Sequence, residues 1–571
     1  MKLRPLPLAL ITALYLFSNP GPGSIAQEAA TVFVERVEVN VVNVEVFVTD
    51  KRGQSVTGLT AEDFTVTQDG QPVAITNFYT VEDTGRGSLP AAVAEAAPDA
   101  VPEAAPAPQT GPADAVVPAE QRLHLLVYID NFNINPSNRE KVLADLEGFL
   151  EKRSIGGDQI MLMTYNRSLN VVRPFTDDPR EIAAGLDEIR KTTANGMKEQ
   201  ARRQMTARNI AIALRDPMTA DSAPIFLQRY VQETRAKLQM STQAIESVVR
   251  SMSGLPGRKA FLYVSDGLPR RPGQRLGEQF FGEDSMSLTA DEGPLFSSIT
   301  HQANAHQVTF YTLDARGSKG GGTTVSAAFS GEVAGGNNRA NLDAIESMNL
   351  QEPLIDMAET TGGTSFVNTA NFDAAMDTMA KDFDTYYSLG FNARTPGDGK
   401  YHKIDVRVNR PGLKVRHRSG FLDKPQIERT GDRTLASLIV GMEKNPLGIR
   451  LRFAPAEKKG SKRYLLPLLL QIPIAELTLL PNGANQEGRL RIFVVVQGEE
   501  GGVSPLQDVP FPVSIPTAEI EQVRQSTIGF TTQLEIRPGH QKIAVGVFDE
   551  LSGIESFVSE TVQVGKVKKR K

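Results

Sequence analysis

The chain has 571 residues, with 62 basic and 67 acidic side chains, six histidines, no cysteine and no tryptophan. That length predicts several domains, and 40% hydrophobic with 23% charged residues is a globular mix. Zero cysteine excludes disulfides, thiol nucleophiles and thiolate metal sites, and a formal charge of −5 argues against general nucleic-acid binding, which needs a basic surface.

Residues 1–26 read as a signal peptide. Lys2 and Arg4 form a positive start, residues 6–17 an apolar stretch, and Ser24-Ile25-Ala26 a small-residue cleavage site. The alternative is an uncleaved anchor. The expectation is an exported protein, periplasmic or secreted. No later run reaches eighteen apolar residues, so no membrane span is expected in the mature chain.

Residues 27–83 form an N-terminal β unit, with Val37, Val39, Val41, Val44, Val46 and Val48 alternating against polar neighbours. Residues 84–120 form an Ala/Pro-rich linker too poor in large apolar side chains to bury a core. Residues 121–385 alternate strands and helices, which predicts an α/β fold with a doubly wound sheet. Buried strands end at Asp130, at Ser265-Asp266-Gly267 and at Asp314. A helical insertion spans 196–254, and its second helix is longer than ordinary strands can cover. Either it projects from the domain or it forms a helical layer of the core. A β segment at 386–423 is expected to pair with 27–83, since each is small for a core of its own. A C-terminal β-sandwich follows at 435–566, then a basic tail at 567–571.

Several motifs stand out in order along the chain: Val48-Thr49-Asp50-Lys51-Arg52-Gly53, Leu59-Thr60-Ala61-Glu62-Asp63-Phe64, Gly257-Arg258-Lys259-Ala260 through Ser265-Asp266-Gly267, and Thr309-Phe310-Tyr311-Thr312-Leu313-Asp314. Tyr386-Tyr387-Ser388-Leu389-Gly390-Phe391, Gly399-Lys400-Tyr401-His402-Lys403-Ile404 and Ser419-Gly420-Phe421 complete the series, which spans roughly residues 31–421. Together they resemble a family of exported bacterial proteins, the von Willebrand factor A-related proteins abundant in acidobacteria. The resemblance implies a von Willebrand A-like, Rossmann-type domain with flanking β-sandwich domains, acting as a protein-binding or adhesion module. It also implies a metal-ion-dependent adhesion site, in which D-x-S-x-S, a loop threonine and a later aspartate hold a magnesium-like ion through oxygen.

Here Asp130 is in place, but Phe132 and Ile134 stand where the two serines belong. Asp266 occupies the place of the second acid, Thr192 or Thr193 that of the loop threonine, and Asn131, Asn133 and Asn135 bring amide oxygens. The expectation is a degenerate site with either no cofactor or a weakly held divalent cation (magnesium, manganese or calcium). Partner-binding candidates are Asn131, Phe132, Asn133 and Asp314, with the loop 316–338 and the inserted helices behind them.

No enzyme constellation emerges. His301 and His306 do not share a helix face, Ser265-Asp266-Gly267 has no paired histidine in sequence, and Gly320-Gly321-Gly322-Thr323-Thr324 lacks the lysine of a phosphate loop. The expected function is a protein–protein interaction module. A metal-dependent hydrolase and a structural envelope component are the alternatives, and envelope association is a further expectation.

Overall fold

A computed structural model describes residues 41–81, 122–318 and 336–565, with short breaks at 256, 396, 442–443, 461–462 and 500–502. The expected signal peptide, the expected linker 84–120 and the basic tail lie outside the described residues, as does most of the glycine-rich loop. The molecule is a mixed α/β protein with several sheets in two compact units, one of residues 40–424 and one built on residues 425–565.

The first unit opens with β1 (Val41–Thr49), β2 (Phe64–Gln68), β3 (Gln71–Val73) and β4 (Ile75–Val81). It closes with β11 (Tyr386–Asn392), β12 (Tyr401–Val408), β13 (Lys414–His417) and β14 (Gly420–Leu422). These make two four-stranded sheets, ordered β13-β1-β11-β4 and β14-β12-β2-β3. The period-two pattern turns Val42, Val44, Val46 and Val48 inward, where they meet Tyr387, Leu389 and Phe391 of β11 and Ile404 and Val406 of β12. Residues at both ends of the unit therefore share one core, and the chain between them leaves at Val81 and returns at Tyr386.

That intervening chain holds β5 (Leu123–Ile129), α1 (Pro136–Ile155), β6 (Gln159–Tyr165), β7 (Leu169–Thr176) and α2 (Pro179–Lys191). Next come α3 (Gly196–Arg215), α4 (Ala223–Met252), β8 (Arg258–Ser265), α5 (Gln274–Phe281), α6 (Gly293–Ala305) and β9 (Val308–Asp314). The last are α7 (Gly336–Thr360), β10 (Ser365–Phe366) and α8 (Phe372–Asp384). The sheet order is β10-β9-β8-β5-β6-β7, parallel throughout except for the antiparallel edge strand β7. All seven residues of β5 are buried, as a strand covered on both faces requires. Leu125, Val127 and Ile129 pack with Val142, Leu143 and Leu146 of α1 and Met376 and Met379 of α8. Parallel strands send their carboxyl ends to one rim, and Asp130, Asp266 and Asp314 lie there.

The long helix α4 divides its work. Leu227 and Val231 join Ile210 and Ala213 of α3 and Leu276 of α5 in a small separate core. Its later residues Leu238, Ile245, Val248 and Val249 are buried as well. No sequence pattern announces α7. Gly336, Asn337 and Asn338 are weak helix formers, and Pro353 stands inside the helix.

The second unit starts with α9 (Gln426–Val440) and continues as two sheets. One is built on β15 (Tyr464–Pro473) and β18 (Thr527–Ile536), the other on β16 (Asn485–Gly498), β17 (Gln507–Pro516), β19 (Gly539–Asp549) and β20 (Glu555–Val564). Leu466, Leu468, Leu470 and Ile472 meet Ile492, Val494, Val545 and Val547 in its core. The strand β17, missed in the sequence because Pro510 and Pro512 interrupt it, pairs among the described residues with β16 alone, the edge position that prolines tolerate.

Candidate functional site

β5 ends at Asp130, whose backbone N–H still donates to the Val264 carbonyl of β8 at 3.0 Å. The chain then turns sharply, with Asn133 N–H donating to the Asp130 carbonyl at 3.1 Å. The Asp130 carboxylate closes this turn. Oδ1 accepts from Phe132 N–H at 3.1 Å and Asn133 N–H at 3.2 Å, while Oδ2 accepts from Asn133 Nδ2 at 2.9 Å and the Tyr263 hydroxyl at 2.6 Å. The group is 1% exposed. Burial raises its pKa, against the lowering effect of Tyr263 and Asn133. Phe132 and Ile134 are buried, and Phe132 sets its ring edge against Tyr165.

Asp266, after β8, reaches the next part of the same loop. Its Oδ2 accepts from Asn135 N–H at 2.9 Å and Asn135 Nδ2 at 2.7 Å, and its Oδ1 from Asn138 Nδ2 at 2.9 Å. Asn135 is the N-cap of α1 and Asn138 lies in its first turn, where unpaired amides and the helix dipole favour an anion. Burial nevertheless dominates and pushes the Asp266 pKa up to about 6, partly offset by the bonds from Asn138 and Asn135. Gly267 follows at φ +105, and a Cβ there would lie 2.6 Å from the Leu350 carbonyl oxygen. Asp130 and Asp266 are thus brought onto one stretch, residues 132–138.

Asp314, at the end of β9, is fully buried. It accepts from Arg316 through Nε at 2.9 Å and Nη2 at 2.7 Å, and from Gln351 Nε2 at 2.8 Å.

The loop threonine candidates separate. Thr192 Oγ1 donates to the Ile189 carbonyl at 2.6 Å and accepts from Asn131 Nδ2 at 3.0 Å. Thr193 is exposed, and its carbonyl oxygen accepts from Asn166 Nδ2 at 3.3 Å. Between Asn131 and Thr192 sits Arg139 of α1, 3% exposed, a residue the sequence reading passed over. Its Nη1 donates to Asn131 Oδ1 at 2.9 Å and its Nη2 to the carbonyls of Arg190 and Thr192, each at 3.1 Å. Burial lowers its pKa from an ordinary value so high that the group stays a cation.

The carboxyl rim opens into a cleft of about 1060 Å³. Asn133, Asn135, Asn138, Asp266 and Arg316 line its base, and Tyr230 and Lys237 of α4 stand in its wall. Lys237 pairs with Glu199 of α3 at 2.6 Å. Asn138, Arg139, Tyr263 and Gln351 were missed. For Asn138 a signal existed, since three residues past Asn135 returns to the same helix face. Gln351 had none, lying in a helix the sequence hid.

No family model matches the chain, and no curated protein matches it. Among solved structures it is similar to an aerotolerance-related membrane protein from Bacteroides fragilis, at 11% identity and a TM-score of 0.23, covering 46% of this chain and 98% of that one. A Bacteroides uniformis beta-glucuronidase shares 10% identity at a TM-score of 0.14, over 32% of this chain and 19% of that enzyme. At these scores neither assigns a family. Among the described residues no helix is long and apolar enough to cross a membrane, and no three His, Cys, Asp or Glu side chains gather as a metal site.

Proposed function

We propose that this chain is an exported protein-interaction module whose central domain is von Willebrand A-like, and that its carboxyl-rim cleft binds a protein partner without a metal ion. The six-stranded sheet with a single antiparallel edge supports the fold reading. The observation that carries the metal-free reading is the donor set. Asp130 and Asp266 each accept three or more hydrogen bonds from this chain's own N–H and O–H groups. The positions expected to bear hydroxyl ligands hold buried Phe132 and Ile134 instead. A hard divalent ion needs six or more oxygen ligands, and these residues do not fit it. The side-chain amide oxygen of Asn131 and the hydroxyl of Thr192 both accept from the guanidinium of Arg139, so a fixed organic cation serves that part of the loop.

Calorimetric titration of the purified full chain with magnesium, manganese and calcium tests this. No heat of binding is expected at millimolar ion, and micromolar affinity for any of the three would overturn the reading and favour the metal-dependent alternatives. The interaction itself is tested by chemical cross-linking in envelope fractions. Cross-links are expected to survive a chelator and to weaken at least fivefold in Lys141→Glu, an exposed residue of the cleft rim. Loss of cross-links on chelation would count against it.

A further inference from the structure

The outward face of α3 belongs to neither core. Ile210 and Ala213 turn inward to the small core shared with α4, while Met197, Met205 and Ile212 are 64%, 60% and 55% exposed. Lys198, Ala201, Met205, Arg208, Ile212 and Arg215 follow one another at spacings of 3, 4, 3, 4 and 3, the a/d rhythm of a heptad seam. Beyond it, the turn into α4 exposes Met218 at 90% and Ile225 at 62%. Apolar patches of this kind on a soluble surface mark interaction sites.

Charge decides what covers the seam. Arg202 pairs with Glu199 and Glu233, and Arg203 with Glu346, so both are engaged within the unit. Lys198, Arg208 and Arg215 form no ion pair among the described residues, and all three lie on the seam. A second copy of α3, with five cations and one acid, would oppose like charges. An anionic bilayer is a poor match as well. The patch offers no tryptophan or tyrosine for the headgroup region, and Asp216 and Asp221 flank its most exposed tip. Methionine and arginine together are the composition of protein-interface centres.

We propose that α3 is a half-built coiled coil, a seam that docks an acidic amphipathic helix of another protein. Apolar residues of that helix cover Met205 and Ile212, and its carboxylates meet Arg208 and Arg215. This site lies on the hairpin rather than in the cleft, and it stands or falls separately from the metal-free reading.

Two synthetic 28-residue amphipathic helices with the same leucine seam, one carrying glutamate at the flanking positions and one lysine, serve as probes. Their binding to the full chain is read by fluorescence anisotropy at about 0.1 M salt. The glutamate peptide is expected to bind at least tenfold more tightly than the lysine peptide. Ile212→Asp should weaken it at least tenfold, and Arg208→Glu with Arg215→Glu should reverse the preference between the two. All substituted positions are exposed, and unchanged thermal unfolding confirms that each variant folds. Equal binding of both peptides, no binding of the glutamate peptide, or indifference to Ile212→Asp would overturn the proposal. Co-sedimentation with phosphatidylglycerol vesicles that is lost in Ile212→Asp would also overturn it, by assigning the face to lipid.

Discussion

Asp266 is a carboxyl group whose burial outweighs three good hydrogen bonds. Its folded pKa of about 6 lies above the ordinary 3.8, so the site contributes most to stability when the group is protonated. That contribution is fully present below about pH 3.8 and is lost as pH rises through about 6. By linkage it amounts to about 3 kcal/mol between those limits. Wild-type protein is therefore expected to gain stability from this site on going from pH 7 to pH 5, whereas Asp266→Asn lacks that gain. Thermal melts of both at the two pH values measure the difference. His402 behaves in the same sense for another reason. Burial opposes its charged form, but Asp69 at 2.7 Å and Asp398 at 3.0 Å outweigh it and hold the pKa above 6.5. Its contribution is present below pH 6.5 and disappears as pH rises through the folded value. The stability gap between wild type and His402→Gln should shrink from pH 6 to pH 8.5, and an NMR titration of the ring should place its midpoint above 6.5.

At the scale of elements, the site is where a strand end meets a helix start. Asn135→Ala removes one donor from buried Asp266 and is expected to cost about 1–3 kcal/mol, measured by urea unfolding. The same variant should raise the Asp266 pKa further, since a bond to the charged form is lost. Gly267→Ala meets both a positive φ and the Leu350 carbonyl, and should cost about 2 kcal/mol or more in the same assay. Much of this was legible. β5, β8 and β9 announce themselves as unbroken apolar runs closed by aspartate, and the 130–135 motif can be read for what it lacks. The rest was hidden by distance and by weak local signals. Arg139 looks like any surface cation of a helix until the 192 loop folds over it, and nothing near Gln351 suggests that it reaches Asp314, 37 residues earlier. α7 opens on glycine and asparagines and carries Pro353, so it offers no clear period to read.

For the whole molecule, the strand order ties the two ends of the first unit together. β11 lies between β1 and β4, pairing with both along most of its length. A chain beginning at residue 122 would leave β11 without either neighbour and uncover Tyr387, Leu389 and Phe391. It is expected to be insoluble or aggregated on expression, and soluble yield compared with the full chain checks this. Residues 425–571 expressed alone are expected to unfold cooperatively, since that unit carries its own core.

Arg139 gives the carboxyl rim a charge that, unlike a bound ion, cannot dissociate. A guanidinium held by covalent bonds has no off-rate and no supply to run short of. Wherever free magnesium and calcium vary, a loop tied down by Arg139 keeps one shape. Under the proposed function, control over engagement then comes from the partner or from acidity, as the Asp266 pKa of about 6 allows, and not from mineral supply.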